Sequence, residues 1–214
     1  EIVAYTDSDA YFYPGWLSRS VQILEAYPKV GMVTARPFRT NEAFLTSTVE
    51  WGKSSPDVKV ETGMIIPFEV FREFDLSLGQ SEEEIRQHYN TTQDVHLEYG
   101  GVPAIAGASH WQFTAYKSVL QDFLPFSMDR PMGQVRQLDQ RMNAAGYLRL
   151  MVTDPLAKNM SNTLRNAQGE AAAAASPSKA KPGRSYAFFD FPPVRRALLA
   201  VYDSIFRWYY DRSS

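Results

Sequence analysis

Two aspartates one residue apart, Asp7 and Asp9, follow directly on the apolar run Ile2, Val3, Ala4 and Tyr5. A pair of carboxylates at this spacing can share one hard cation and leave open positions on it for phosphate oxygens. The apolar run reads as a strand, and residues i and i+2 at a strand end point the same way, so both carboxylates are expected on one side. Taken alone, the pair fits a solvated turn better than a site. The strand ahead of it favours a site, because ligands of open α/β sheets bind beyond the carboxyl ends of strands. A second group of chemistry-bearing residues, His110 and Trp111, stands just after the small residues Gly107 to Ser109. An aromatic face packs on a sugar ring and an imidazole hydrogen-bonds hydroxyls, so the two read as a platform for a hydroxyl-bearing ligand. The competing reading is that Trp111 and Phe113 simply alternate into the core.

The elements that must position these residues follow from local pattern. Residues 15 to 27 read as a helix with Leu17, Val21 and Leu24 on one stripe, stopped by Pro28, and Val30 to Ala35 as the next strand. Strand, acidic loop, helix, strand is a βαβ crossover, which makes the two strands parallel neighbours or near neighbours in one sheet. Residues 41 to 52 read as a helix with Phe44, Leu45, Thr48 and Trp51 inward. Ile65 to Phe74 reads as a short helix after Pro67, and Ser81 with Glu84 three residues later fits a capping box. Two short apolar strands flank Gly107, a helix runs from Lys117 to Phe123, another from Val135 to Ala145 ends at Gly146, and Leu148 to Val152 is a strand.

The strings TDSDAYFYPGWL and LEAYPKVGMVTARP resemble the middle of a family 2 glycosyltransferase with the type A fold. Asp7 to Asp9, Pro14 to Leu17 and Pro28 to Val33 correspond, in order, to that family's Asp-x-Asp, its Pro-Gly-Trp-Leu helix start and its Pro-x-Val-Gly-x-Val strand. The resemblance extends from Glu1 to about Asn162. It implies an α/β fold with an open, mostly parallel sheet, and nucleotide-holding βα units that would precede Glu1, so that the segment reads as part of a longer protein. The implied activity moves a sugar from a nucleotide-sugar donor to a hydroxyl acceptor, a glycan or other, with Mg²⁺ or Mn²⁺ on Asp7 and Asp9. The later match covers Arg141, Gly146 and Tyr147, which marks Arg141 as a substrate-binding candidate.

Two positions depart from that pattern. Gln134, Val135, Arg136 and Gln137 stand where the family carries adjacent acids, which leaves Asp139 as the carboxylate on the helix, and Asn159 replaces the family histidine. Inverting transfer needs one carboxylate to take the acceptor proton while cationic groups stabilise the departing diphosphate. Asp139 is the candidate base, with Asp129 as the fallback and a plain ion pair to Arg136 or Arg141 as the alternative. Asn159 would offer a neutral carbonyl oxygen to the metal, a weaker ligand than imidazole or carboxylate. These departures keep open a catalytically degenerate sugar-binding domain. A haloacid-dehalogenase-like phosphatase fits less well, because Ala10, Tyr11 and Phe12 follow the second aspartate.

Bulk composition bounds the remaining choices. The chain has 214 residues, 44% hydrophobic and 14% aromatic, enough to bury a core as one globular domain. Its formal charge of -2 offers no nucleic-acid footprint. The absence of cysteine excludes disulfides and thiolate metal sites, so oxygen or imidazole ligands remain. No run of about 18 uncharged apolar residues appears, and the expected location is the cytoplasm, at the inner face of the membrane if the tail attaches there. Residues 163 to 185, rich in Ala, Ser, Pro and Lys, read as a flexible linker. Residues 186 to 214 read as an amphipathic helix after Pro193, with Val194, Leu198, Val201, Ile205 and Trp208 on one stripe. Such a helix would dock on the domain or a subunit partner, or contact a membrane surface.

Overall fold

The computed structural model describes residues 1–125 and 133–160. The expected linker, the C-terminal amphipathic helix and Asp129 lie outside the described residues, as do the side chains at 133–136. Along the chain, β1 (Ile2–Thr6) and β2 (Ala10–Phe12) precede α1 (Trp16–Ala26) and β3 (Val30–Thr34). Then come α2 (Thr46–Ser54), β4 (Val58–Gly63), α3 (Phe68–Ser77) and α4 (Glu82–Thr91). The remainder is β5 (Asp94–Tyr99), β6 (Val102–Ala106), β7 (Gln112–Tyr116), α5 (Lys117–Gln121), α6 (Gly133–Ala144), β8 (Leu148–Met151) and β9 (Ala157–Asn159).

The fold is α/β, with an open, mixed sheet of seven strands in the order β1-β7-β3-β8-β6-β5-β4. The expectation of a mostly parallel sheet is corrected: of these neighbouring pairs only β3 and β8 are parallel. Two features cause this. β7 returns antiparallel between β1 and β3, so these two strands, joined through α1, run the same way as near neighbours rather than adjacent ones. β5 and β6 form a hairpin whose two-residue turn, Gly100 and Gly101, has φ of 56° and 76°. Positive φ at both turn positions matches the right-handed twist of the flanking strands and is cheap only for glycine or asparagine.

α1 covers one face of the sheet, but its inward stripe is Ser20, Ile23, Leu24 and Tyr27, while Leu17 is exposed. Ile23 and Leu24 meet Val33, Leu97, Leu148 and Leu150, and burying each such side chain contributes about 1.5–3 kcal/mol. The opposite face packs Met32, Phe113 and Ala115 against Leu138 and Met142 of α6. A third cluster seats Phe71 and Phe74 of α3 and Ile85 of α4 around Ile105, Trp111 and Met151. α4 starts on the expected capping box, with Ser81 accepting from the Glu84 amide and Glu84 reaching back to Ser81.

β1 departs from its expected burial. It is an edge strand with β7 as its neighbour, so Ile2 and Tyr5 stand 37% and 47% exposed. Among the described residues no helix is long and apolar enough to cross a membrane.

Candidate functional site

The acidic pair sits where β1 ends, but not in strand geometry. The chain turns at Ser8 and Asp9 before entering β2, so the same-side rule for i and i+2 ends at Thr6. Asp7 is exposed and Asp9 half-buried. The loop is tied down at both aspartates through the backbone. The Asp7 amide donates to the Trp111 carbonyl at 2.8 Å, and the Asp9 carbonyl accepts from the Met160 amide at 2.8 Å. Tyr5 donates its hydroxyl to Asp7 Oδ1 at 3.0 Å, and that hydrogen bond to a carboxylate pushes the phenol above its ordinary range.

β2 and β9 form a separate antiparallel ribbon in which Ala10 faces Asn159, Tyr11 faces Lys158 and Phe12 faces Ala157. Alternation along the ribbon puts Asn159 with the buried residues and Lys158 on the face of exposed Tyr11. The Lys158 ammonium reaches Glu73 Oε1 of α3 at 2.5 Å, and Glu73 Oε2 accepts from buried Arg36 at 2.9 Å. Partial burial works against the Glu73 carboxylate, but Lys158 and Arg36 prevail and hold it below its ordinary value. Arg36 also donates to the Ala157 and Val70 carbonyls, which locks α3 to the ribbon.

The loop from Gly107 to Trp111 connects β6 to β7 beside the acidic turn. Gly107 has φ of 137°, and an added Cβ would come within 2.7 Å of Met151 Cε. Thr34 Oγ1 accepts from the Ser109 amide at 3.0 Å and fixes the next step. His110 then projects with its side chain 40% exposed, whereas Trp111 is only 6% exposed, its ring tilted against Phe74 with centroids 5.8 Å apart. Trp111 and Phe113 are both buried, though in different core clusters and with Gln112 and Thr114 buried beside them, so no simple alternation places them, and the Trp111 ring presents no open face as a platform.

Asp139 lies on α6 and is buried. Among the described side chains its ion-pair partner is not Arg141, the alternative at helix spacing that can be placed; Arg136 lies outside the described side chains. Arg149 on β8 places Nη2 2.6 Å from Asp139 Oδ1, while His110 Nδ1 stands 3.4 Å from Oδ2. Arg149 is itself 1% exposed, donates to the carbonyls of Ala108 and Phe44, and has its guanidinium pushed down by burial against the opposing pull of Asp139. Arg141 turns the other way and donates to the carbonyls of Phe123 and Pro125.

The structure therefore ties the Asp7 backbone to the residue after His110, joins His110 to Asp139, and sets Asn159 one residue from the anchor of Asp9. Trp111 is drawn into the core and Arg141 is engaged with the chain between α5 and α6. Three residues escape the sequence reading: Arg149, Lys158 and Glu73. Arg149 and Glu73 carry no local signal, because their partners are distant in sequence, but Lys158 beside the metal-ligand candidate Asn159 could have been singled out as a cation. Among the described residues no group of three or more His, Asp or Glu converges as a ready-made metal centre. The donor chemistry of Asp7 and Asp9, two carboxylates with access to solvent, suits a hard cation completed by ligand oxygens and water. Comparison with known proteins finds no matching family model, no matching curated protein and no matching solved structure.

Proposed function

We propose that this chain is the catalytic segment of a glycosyltransferase with a type A-like fold, moving a sugar from a nucleotide-sugar donor to a hydroxyl of a glycan or similar acceptor. The observation that carries the reading is the convergence of separate sequence landmarks. The acidic turn after β1, the loop before β7 and the strand β9 are held together by the 2.8 Å bonds from Asp7 to Trp111 and from Met160 to Asp9. Asp7 and Asp9 would hold Mg²⁺ or Mn²⁺, which supplies charge stabilisation for the departing diphosphate. Lys158, on the ribbon face of Tyr11, adds a cation near the same place, with Glu73 as its resting partner. Asp139 and His110 are the proton-handling groups.

The test is Asp9→Ala in the full-length protein, assayed for metal-dependent hydrolysis or transfer from UDP- and GDP-sugars. Loss of turnover by ~10²-fold or more supports the reading. Turnover unchanged from the unsubstituted protein removes it. A second reading, a sugar-binding domain without catalysis, draws on the 2.6 Å pairing of Asp139 with Arg149. Calorimetry that finds nucleotide-sugar binding without any metal effect and without hydrolysis would favour that one.

A further inference from the structure

We infer that His110 is the proton acceptor of this site and that Asp139 is its positioning residue, an assignment that rests on the transferase reading above. The argument begins with what each Asp139 oxygen does. Oδ1 accepts from Arg149 Nη2 at 2.6 Å, deep in the protein, so that oxygen is committed to a fixed cation. Oδ2 faces His110 Nδ1 at 3.4 Å. The Asp139 side chain is 7% exposed and cannot itself meet a bulky acceptor, whereas the His110 imidazole is 40% exposed. The outer member of the pair is the one that can touch substrate.

A neutral imidazole carries one ring proton, and the hydrogen bond made by one nitrogen decides the state of the other. A carboxylate at Nδ1 draws the proton there and leaves Nε2, on the far side of the ring, as a lone-pair acceptor. Arg149 holds Asp139 and Asp139 holds His110, so the imidazole is aimed by a buried chain of charge. The loop carrying it is fixed by the hydrogen bond between Ser109 and Thr34 and, one residue on, by the bond from the Asp7 amide to Trp111. The base and the acidic turn therefore share one support.

In the reaction, the acceptor hydroxyl oxygen forms a bond to the anomeric carbon and its proton passes to His110 Nε2. The bond from the anomeric carbon to the diphosphate oxygen breaks, and its electron pair leaves with the diphosphate. The imidazolium so formed is stabilised by Asp139, and it returns its proton to water after the product leaves. No redox change or further reactant is needed.

Substitution of Asp139 gives a sharp test, because Asp139→Asn keeps the shape and changes only the donor pattern. Arg149 donates, so the asparagine carbonyl must face Arg149 and its NH₂ must face His110. An NH₂ group cannot accept from Nδ1–H, and the ring must switch to the Nε2–H tautomer. Long-range ¹H–¹⁵N correlation spectra of labelled full-length protein, with His110 assigned by its loss in His110→Gln, read the tautomer directly. The expected result is Nδ1–H in the unsubstituted protein and Nε2–H in Asp139→Asn. With UDP- and GDP-sugars as probes, both variants should lose ~10²–10⁴-fold in kcat with KM little changed. An Nε2–H tautomer in the unsubstituted protein, or a tautomer indifferent to Asp139→Asn, overturns the orienting contact. Full kcat in His110→Gln with loss in Asp139→Asn overturns the assignment and returns the base role to Asp139. The expected spectra with no turnover of any probe by the unsubstituted protein overturn the transferase reading, and with it the proton transfer, while the orienting contact stands.

Discussion

Asp139 Oδ1 lies 2.6 Å from Arg149 Nη2, ten residues further along the chain, with both side chains buried. Arg149 makes further bonds to the Ala108 and Phe44 carbonyls, so one guanidinium ties α6, the loop before β7 and the turn before α2 to β8. Breaking such a pair from one side leaves an uncompensated buried charge, which costs about 3–5 kcal/mol, whereas replacing both partners with apolar groups is often close to neutral. Arg149→Met is therefore expected to lower the urea midpoint strongly, and Asp139→Leu with Arg149→Met to recover much of the loss. A double-variant loss equal to the sum of the separate Arg149→Met and Asp139→Leu losses would show that the two charges are not coupled.

The link between α3 and β9 depends on pH. Glu73 is held below its ordinary value of 4.5 by Lys158 and Arg36 against the opposing effect of burial. A carboxyl group with a depressed folded-state pKa stabilises the fold above its unfolded value, and that contribution is lost as pH falls through the folded one. Glu73→Gln should be less stable than the parent at pH 7, and the difference should close as both are titrated below pH ~4. Thermal melts across that window check the sign; a gap that widens on acidification would refute it.

Gly107→Ala tests whether the loop carrying His110 is built on a backbone that only glycine tolerates. The new Cβ would stand 2.7 Å from Met151 Cε and 3.1 Å from Thr40 Oγ1 at a φ of 137°. The strain alone is worth about 1–3 kcal/mol. A fall in denaturation midpoint is expected; a midpoint equal to that of the parent would show that the loop accepts a Cβ at this position.

Ser81→Ala should shorten or fray α4 without touching the site. The serine hydroxyl accepts from the Glu84 amide, and that cap contributes about 1 kcal/mol. Hydrogen exchange at the first turn of α4 should rise while exchange in β3 and β8 stays unchanged.

Local signals made much of the architecture legible before any coordinates. Pro28 ends α1, Ser81 and Glu84 open α4, Gly146 closes off α6, and the apolar runs at Val30 and Leu148 become β3 and β8, because each depends on neighbours within a few residues. The β5–β6 hairpin was also within reach, since Gly100-Gly101 between apolar runs is a strong turn signal. The pairing of Val58 with Tyr99 was not, because alternation fixes which face a strand buries but not which strand lies beside it.

The sequence by itself determined an α/β chain, an acidic pair delivered by a strand, and a carboxylate on the helix before Gly146, because these follow from composition and short-range periodicity. Tertiary structure alone decided that β7 inserts between β1 and β3, that Trp111 enters the core while His110 stays half-exposed, and that Asp139 is shared between Arg149 and His110. The physical reason is the same in each case. The partner of a strand edge, an indole face or a buried charge is chosen by packing and desolvation across the fold, and those forces act between residues that the sequence keeps far apart.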